Sequence, residues 1–384
     1  MTPKEKRKIL IITDYFYPHW TGIAKSMYYF VQEIKDDYET ALLTVRYSRK
    51  LKKQEDLFSV RVFREDYLFS LSRAKYSFSI IWKFFKIINH YDVVLVNSPF
   101  SNIIPIALLT KLFRKKLLIL HHGDLILTYG LFNRILEKIF DFSSFISFFL
   151  ADKVSTFTFD YAKNSRVLKR YLYKFTPLII PIDIFIKHSQ TAEDRYIIEK
   201  IKKLRHTHKV IIGFAGRFVE EKGFDILFSA IPAIKQACPD VHFVYAGETN
   251  IPYECFFQKH QLQFEKIKES VTFFGLLNEV ELVSFYKHID FLIIPSRSDC
   301  FPIVQLEAMS LHVPCIVSDI PGARVPVQKT GYGMLFRKAD PNDIVRAIKD
   351  ILKERVKIKK KYKNVLSFLD KQKNDKTIKG FIEQ

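Results

Sequence analysis

The chain has 384 residues, and 48% of them are hydrophobic, which supports sizeable cores and excludes a wholly disordered protein. Lysine and arginine number 61 against 41 aspartates and glutamates, so the formal net charge is +20. That excess indicates an anionic partner: nucleic acid, an anionic membrane surface or a phosphorylated substrate. The four cysteines lie far apart without a CxxC pair, which argues against a zinc site and favours a reducing compartment.

The sequence pattern predicts neither a signal peptide nor a membrane span. The charged N-terminal residues lead into a short apolar run without a small-residue cleavage site. A spanning helix needs about 18 uncharged apolar residues. The nearest approach, residues 135–150, is interrupted by Glu137, Lys138 and Asp141. We therefore expect a cytoplasmic protein without a transmembrane helix.

In the first half of the chain, short apolar runs alternate with helical patterns. This alternation predicts a mostly parallel sheet with helical crossovers. The predicted strands are 8–12, 40–46, 60–64, 93–97, 117–120, 152–158 and 178–181, and the predicted helices are 23–34, 79–89, 102–113 and 161–171.

Two loops of this half follow strands and are candidates for ligand contact. Residues 15–22 connect the first strand to a helix, and Gly22 ends the loop. Such a loop commonly holds a phosphate or sugar in α/β proteins, although a single glycine fits a simple turn equally well. His121 and His122 follow the strand at 117–120. One of them is expected to face the ligand crevice, and the alternative is a loop pair without a role.

The segment at 73–90 mixes aromatic and isoleucine residues, including Trp82, with cations such as Lys83 and Lys86. A basic, aromatic amphipathic helix can lie on an anionic membrane. It can also simply cover a sheet, and both interpretations stay open.

Residues 186–208 are polar, charged and poor in aromatic residues, so we place a linker there. It separates a domain at 1–185 from a domain at 209–355, and a basic helix at 356–384 closes the chain, with packing back on the first domain as one option. A ligand between two such domains is expected. In the second domain the predicted strands are 210–215, 241–246, 271–274, 291–294 and 315–317, and the predicted helices are 224–236, 279–288 and 341–353.

The sequence around 294–310 reads as the end of a strand, a polar loop and the start of a helix. Asp299 precedes the helix, and Glu307 lies eight positions later within it. The simple interpretation is an N-cap aspartate and an exposed helical glutamate. However, Arg217 and Lys222 follow another strand end, and two cations beside a helix N-terminus can bind a diphosphate without a metal ion. An acid such as Glu307 can accept hydrogen bonds from a ribose diol. Together these residues indicate a nucleotide-diphosphate sugar.

Three motifs make the second half similar to a known family. They are GRFVEEKG (216–223), DCFPIVQLE (299–307) and EAMSLHVPCIVSD (307–319). The chain resembles the retaining GT-B glycosyltransferases of glycosyltransferase family 4. The first half fits through its YPHWTG loop, its HHGD turn and the PID element at 181–183. The resemblance implies an α/β protein of the GT-B fold, with two Rossmann-like α/β/α domains facing across a central cleft.

The resemblance also implies roles by position. Arg217 and Lys222 would hold the donor diphosphate, Glu307 would bind the ribose, and Asp299 would contact the donor sugar. His122, which directly precedes Gly-Asp, matches the family's histidine near the anomeric carbon. The remaining implied contacts are Gly22, which lets the first loop approach the phosphates, and the helix start at Phe301, Pro302, Ile303 and Val304; the base is expected near Gly247 and residues 274–276.

The implied reaction is metal-independent and cofactor-free transfer of a sugar from a UDP- or GDP-sugar, with retention at the anomeric carbon. A glycan or lipid-linked acceptor would receive it, in cell-surface polysaccharide or glycolipid synthesis at the inner face of the membrane. The attack would come from the front face, without a protein nucleophile. The leaving diphosphate would be stabilised electrostatically.

Two departures from the family pattern motivate an alternative. Asp299 stands where the family usually has glutamate, and Thr21 precedes Gly22 where a glycine pair is common. A catalytically weakened protein that binds a sugar nucleotide or glycan therefore stays open. A nucleic-acid-binding protein is disfavoured because no reading motif is present. A pyridoxal-dependent phosphorylase is disfavoured because nothing resembles a pyridoxal lysine site.

Overall fold

A computed structural model describes residues 6–19, 21–71, 74–127, 131–178, 182–191, 193–251, 254–374 and 377–383. The chain divides into two compact units. Unit 1 comprises residues 1–181 together with 375–384, and unit 2 comprises residues 182–374. Each unit is a Rossmann-like α/β domain built on a mostly parallel sheet, so the predicted fold class is confirmed.

Unit 1 contains an eight-stranded sheet and a separate two-stranded antiparallel sheet. The strands are β1 (Lys8–Thr13), β2 (Glu39–Val45), β3 (Gln54–Leu57), β4 (Val60–Glu65), β5 (Phe69–Leu71), β6 (Ala74–Tyr76), β7 (Val93–Ser98), β8 (Lys116–His121), β9 (Lys153–Thr156) and β10 (Phe175–Pro177). The order in the large sheet is β10-β9-β8-β7-β1-β2-β4-β3, with β3 antiparallel to β4 and the other pairs parallel. The central strands are continuous apolar runs because helices cover both faces of a parallel sheet.

Five helices of unit 1 connect these strands: α1 (Gly22–Ile34), α2 (Phe78–Ile87), α3 (Ile103–Leu112), α4 (Leu131–Leu150) and α5 (Phe159–Asn164). Short 3-10 helices cover Ile88–His90 and Leu168–Lys174. Thr21, Ser77 and Thr158 cap α1, α2 and α5 through their hydroxyl oxygens, which accept hydrogen bonds from first-turn amides. The described helices include none long and apolar enough to cross a membrane.

Unit 2 is built on a six-stranded parallel sheet in the order β13-β12-β11-β14-β15-β16. Its strands are β11 (Val210–Ala215), β12 (Val241–Ala246), β13 (Val271–Gly275), β14 (Phe291–Ile294), β15 (Cys315–Ser318) and β16 (Gly333–Phe336). Its helices are α6 (Asp183–Ser189), α7 (Arg195–Arg205), α8 (Phe224–Ala237), α9 (Phe256–Lys259), α10 (Gln261–Glu265), α11 (Glu279–His288), α12 (Ile303–Ser310), α13 (Val325–Thr330), α14 (Pro341–Lys353), α15 (Arg355–Lys359) and α16 (Tyr362–Asn374), with 3-10 helices at Glu220–Lys222 and Lys268–Ser270. The last helix, α17 (Thr377–Glu383), belongs to unit 1.

The structure corrects the predicted linker at 186–208. This segment carries most of α6 and all of α7, and α7 packs on α11. Asp194 caps α7, while Ile197 and Ile201, four positions apart, are buried. The abundant lysines of this short helix concealed its single apolar stripe. The unit boundary lies at 181/182.

Three further expectations need correction or fall outside the described residues. The single helix predicted at 161–171 is two pieces, because Ser165 adopts an extended conformation and ends α5. The short strand predicted at 178–181 is replaced by β10, which ends at Pro177; residues 179–181, including the start of the PID element, lie outside the described part of the chain. The predicted tail helix at 356–384 is divided between the units at 374/375.

Candidate active site

The structure brings Lys222 and Asp299 together, although 77 positions separate them in the sequence. Strands β11 and β14 are parallel neighbours, so the loops that follow them leave the same edge of the sheet. Lys222 Nζ donates to Asp299 Oδ2 over 2.6 Å. The two side chains are 26% and 11% exposed, so the pair is partly buried but still reaches solvent.

Arg297, in the loop after β14, links this loop to the loop after β11. Its amide donates to the carbonyl of Glu221 over 2.7 Å, and its Nη1 donates to the carbonyl of Glu220 over 2.9 Å. The same guanidinium forms a two-pronged ion pair with Asp225, at 2.6 and 2.5 Å, in the first turn of α8. Such bidentate pairs fix geometry as well as adding energy. The two strand-end loops are therefore fastened to each other and to a helix.

Two glycines allow the backbones of this region to approach closely. Gly223 has a φ of +67°, and a Cβ at this position would lie 2.1 Å from the carbonyl oxygen of Pro295. Gly247 has a φ of +158°, and its Cβ would lie 1.9 Å from the carbonyl oxygen of Gly216. No larger residue fits either position without moving the backbone. Close packing against Gly216 therefore explains why position 247 is glycine. The predicted binding of the nucleotide base near Gly247 stays a prediction.

The cations of the site have carboxylate neighbours. Burial alone would lower the pKa of Lys222, but Asp299 and Glu221 outweigh burial and raise that pKa above its ordinary value. The lysine is therefore positively charged at neutral pH. Arg217, which follows β11, lies 4.0 Å from Glu221 and is 31% exposed. Within the described residues, no group of three or more His, Cys, Asp or Glu side chains is placed to hold a metal ion.

The N-terminus of α12 completes this side of the site. The helix begins at Ile303, and Pro302 occupies the N-cap position. Among the described residues, Pro302 provides no side-chain hydrogen bond to cap the helix. Asp299 Oδ1 instead accepts from the Phe301 amide over 3.3 Å, one residue before the cap. The interpretation of Asp299 as the N-cap is therefore wrong. The first turn of α12, which contains the predicted contact residues Ile303 and Val304, places the positive end of the helix dipole next to Lys222 and Asp299.

Glu307 lies inside α12 and is fully buried. Its Oε2 accepts a hydrogen bond from the Tyr286 hydroxyl over 3.2 Å. The simple expectation of an exposed helical glutamate is therefore wrong. The predicted contact with a ribose stays a prediction, and it requires that a ligand gain access to this carboxylate.

The adjacent histidines of unit 1 have different surroundings. His121 is the last residue of β8, not part of the following loop, and is 1% exposed. Its Nε2 lies 3.1 Å from Asp124 and its Nδ1 lies 3.2 Å from the Ser98 hydroxyl. Asp124 also accepts from the Ser165 hydroxyl over 2.7 Å. Burial would raise the pKa of Asp124, but hydrogen bonding and the charge of His121 lower it to about 2.

His122 is half-buried, and its ring centroid lies 5.4 Å from that of Phe157. Its amide donates to the carbonyl of Ser98 over 2.7 Å. Burial, followed by the neighbouring His121, lowers the pKa of His122 to about 3. The imidazole is therefore neutral at physiological pH. Of the two histidines it is the more exposed residue, although its Nε2 atom is buried. Its predicted place near the anomeric carbon stays a prediction.

Gly22 is the first residue of α1, directly after the capping residue Thr21. A Cβ added at Gly22 would meet no atom of the described residues within 4 Å. The fold itself therefore does not demand glycine here. The absence of a side chain leaves open space at the carboxyl end of β1.

Sequence reasoning missed Arg297, Asp225 and Tyr286, which organise the site without belonging to the motifs. Arg297 follows the strand-ending proline and serine, and Asp225 follows the Lys-Gly pair by two positions. A cation and an acid in corresponding strand-end loops were a usable signal for an ion pair. Tyr286 had no such signal, because its contact with α12 depends on tertiary packing.

Comparison with known proteins shows a family that most of unit 2 resembles. Residues 197–365 match the family model described as glycosyl transferases group 1. This part of the chain is therefore similar to that family. An uncharacterized glycosyltransferase of Methanocaldococcus jannaschii is 31% identical over 141 residues, which are 36% of this chain and 37% of that protein. The chain thus spans well under half of the length of the curated relatives it matches.

Solved structures extend the likeness to both units at the level of fold. Sucrose-phosphate synthase from Thermosynechococcus elongatus aligns with a TM-score of 0.75 and 16% identity, over 97% of this chain and 96% of that chain. HepE from Anabaena, solved in complex with UDP-glucose, aligns with a TM-score of 0.75 and 15% identity, over 98% of both chains. Both units therefore have the fold of the GT-B glycosyltransferases.

Proposed function

We propose that the protein is a retaining glycosyltransferase of family 4. It transfers a sugar from a UDP- or GDP-sugar to a glycan or lipid-linked acceptor, in the synthesis of a cell-surface polysaccharide or glycolipid. The matched family segment includes Arg217, Lys222, Asp299 and Glu307. A protein of the same fold was solved with UDP-glucose bound.

The observation that carries the proposal is the Lys222–Asp299 contact beside the start of α12. Asp299 forms an ion pair with Lys222. A bound diphosphate competes for the ammonium group, with Arg217 as a second cation and the helix dipole as a third source of positive potential. Asp299 is then available to accept hydrogen bonds from hydroxyls of the donor sugar. Positive groups at the diphosphate stabilise the charge that develops as the leaving group departs.

The reaction breaks the bond between the anomeric carbon and the diphosphate oxygen, and forms a bond from that carbon to the acceptor oxygen on the same face. The acceptor proton passes to the departing phosphate. The proposed reaction uses no protein nucleophile, metal ion or cofactor. The imidazole of His122 is neutral, and in the proposed mechanism it donates or accepts a hydrogen bond near the anomeric carbon without adding a charge. Gly22 leaves space for the phosphates.

We place the reaction in the cytoplasm, at the inner face of the membrane. The net charge of +20 favours an anionic surface, and a lipid-linked acceptor would be presented there. Nucleic acid is not part of this proposal.

The test is thermal unfolding of the purified chain with nucleoside diphosphates and nucleotide sugars, without added metal. A ligand at a hundredfold excess over its dissociation constant stabilises the folded state by about 2.7 kcal/mol. We expect stabilisation by one nucleoside diphosphate and its sugar, and loss of that stabilisation in Lys222→Ala. The absence of stabilisation by every compound would contradict the proposal.

A catalytically weakened protein that binds sugar nucleotides or glycans is the second candidate. The shorter side chain at Asp299 favours it, because a displacement of about 1 Å at a reacting group can cost about a hundredfold in rate. Both candidates predict nucleotide binding, so turnover of the bound donor with an acceptor extract distinguishes them. Release of nucleoside diphosphate would eliminate the weakened protein.

A further inference from the structure

Helix α4 buries one face in unit 1 and exposes a second apolar face. Its buried residues include Leu136, Phe140 and Phe148. The opposite side presents a row of large apolar side chains at helical spacing, between 49% and 66% exposed: Phe132, Ile135, Ile139, Phe142 and Phe149. Exposed apolar residues are normal when scattered, whereas a contiguous row marks an interaction surface.

The charges on this helix are distributed unevenly. Besides apolar residues, the exposed positions of α4 hold only Arg134 and Lys138. The two acids of the helix, Glu137 and Asp141, are half-buried on its flank and face Arg166, at 3.9 and 2.8 Å. We call the exposed residues of α4 the α4 apolar face. It carries cations and no acid.

Cations from the neighbouring segment border the face. The Arg170 guanidinium lies 5.5 Å from the ring centre of Phe145, and Lys174 Nζ lies 5.8 Å from that of Phe149. The adjacent Tyr173 is 75% exposed. Long basic side chains that lie along aromatic rings keep their charges at the edge of an apolar surface, as they do at a membrane interface.

The apolar surface continues onto the next two helices. Helix α3 packs against α4, and α2 packs against α3. Leu108 and Leu112 of α3 are 53% and 74% exposed, and Trp82 of α2 is 61% exposed with Lys86 Nζ 5.0 Å from its ring centre. Helix α2 covers the sheet with Ile80 and its buried side, which confirms that interpretation, while its aromatic side faces outward. Contact of this helix with a membrane stays a prediction.

We propose that the α4 apolar face, with the outward sides of α2 and α3, docks on an anionic lipid bilayer. An interfacial helix combines a large apolar face with lysine and arginine, and anionic headgroups supply the complementary charge. None of the described helices can span a bilayer, so the face lies on the surface. A second copy of the chain is a poor occupant, because each copy would bring cations and a net charge of +20 to the contact.

This inference rests on the proposed membrane location and names the surface responsible for it. It is independent of the proposed donor chemistry, because vesicle binding needs no nucleotide sugar. Nucleotide-induced thermal stabilisation, measured on the same variants, reports the donor site separately. Failure of vesicle binding would therefore remove the membrane location and leave the donor-site proposal intact.

The experiment is flotation of the full chain with vesicles of pure phosphatidylcholine, or of phosphatidylcholine with 30% phosphatidylglycerol, at low and high salt. We expect binding to the anionic vesicles that weakens at high salt, and at least tenfold weaker binding by Ile139→Glu/Phe142→Glu. The matched control is Leu262→Glu/Val356→Glu in unit 2, which exchanges two exposed apolar residues for the same charges. The control should bind within about twofold of the original chain.

A second variant distinguishes loss of membrane binding from misfolding of the glutamate variant. Arg134→Gln/Lys138→Gln changes only exposed side chains and should also weaken binding to anionic vesicles severalfold, with an unchanged thermal unfolding midpoint. The proposal is overturned if the original chain ignores anionic vesicles at low salt, or if the unit 2 control loses as much affinity as the α4 variant. It is equally overturned if the chain elutes as an oligomer that Ile139→Glu/Phe142→Glu converts to monomers, since the face then binds a second copy.

Discussion

Replacing Lys222 with alanine removes one side of the ion pair with Asp299 and, in the proposed mechanism, one of the cations that hold the diphosphate. At 2.6 Å the attraction between unit charges is about 6 kcal/mol at an effective dielectric constant of about 20, before desolvation is subtracted. Hydrogen bonds to charged groups contribute about 1.5–3 kcal/mol net. We therefore expect Lys222→Ala to lower the free energy of unfolding by about 2 kcal/mol.

The same substitution should cost at least about 2 kcal/mol of transition-state stabilisation, which corresponds to about a 30-fold lower kcat/KM. The assay is release of nucleoside diphosphate with saturating acceptor, together with urea unfolding of each variant. Arg346→Ala is the matched control, because it breaks a comparable ion pair of unit 2, at 2.7 Å to Asp343. It should reduce stability without reducing turnover. A folded Lys222→Ala protein with kcat/KM within twofold of the original chain would refute the proposed role.

Three other substitutions test separate parts of the structure. Gly22→Ala should leave the thermal unfolding midpoint unchanged, because the added Cβ meets no described atom within 4 Å. It should nevertheless reduce turnover at least tenfold, because the Cβ occupies the space proposed for the phosphates. The contrasting variant Gly247→Ala should clearly lower the midpoint, because its Cβ would lie 1.9 Å from a carbonyl oxygen. The pKa of Asp124 falls from 3.8 to about 2 on folding, so its stabilisation of about 2 kcal/mol is complete above about pH 4 and lost towards pH 2; urea unfolding of Asp124→Asn should differ from the original chain at pH 7 and converge with it near pH 2. Tyr286→Phe should lower the free energy of unfolding by about 1 kcal/mol through loss of its hydrogen bond to buried Glu307, and an unchanged urea midpoint would exclude that contribution.

The central strands of both large sheets could be predicted because each is a short apolar run bounded by polar or turn residues. No strand was predicted at β3, β5, β6, β10 or β16. The bounds predicted for the strand at 210–215 and the helix at 279–288 agree with β11 and α11. Helix α4 received no prediction, because its apolar residues occupy two faces and so lack the one-sided period of a surface helix. Helix α7 was assigned to a linker because its lysines outweigh two buried isoleucines in composition.

The candidate site could be predicted as a set of residues but not as a geometry. The loop motifs place Arg217, Lys222 and Asp299 at strand ends, and strand ends of a parallel sheet share one edge. The direct Lys222–Asp299 bond depends on the order of β11 and β14 in the sheet, which local pattern does not determine. The burial of Glu307 likewise depends on tertiary contacts that local pattern does not determine, among them the hydrogen bond from Tyr286 of α11.

The fastening of the loop after β14 to the loop after β11 has a consequence for evolution and engineering. Arg297 donates hydrogen bonds to the backbone carbonyls of Glu220 and Glu221 and to the carboxylate of Asp225. Substitutions in one of these two loops should therefore be accompanied by substitutions in the other. A chimera that exchanges only residues 216–225 for a segment without an acid at position 225 would leave this guanidinium without its carboxylate partner. Donor preference in this chain should therefore be transferable only when both loops are exchanged together.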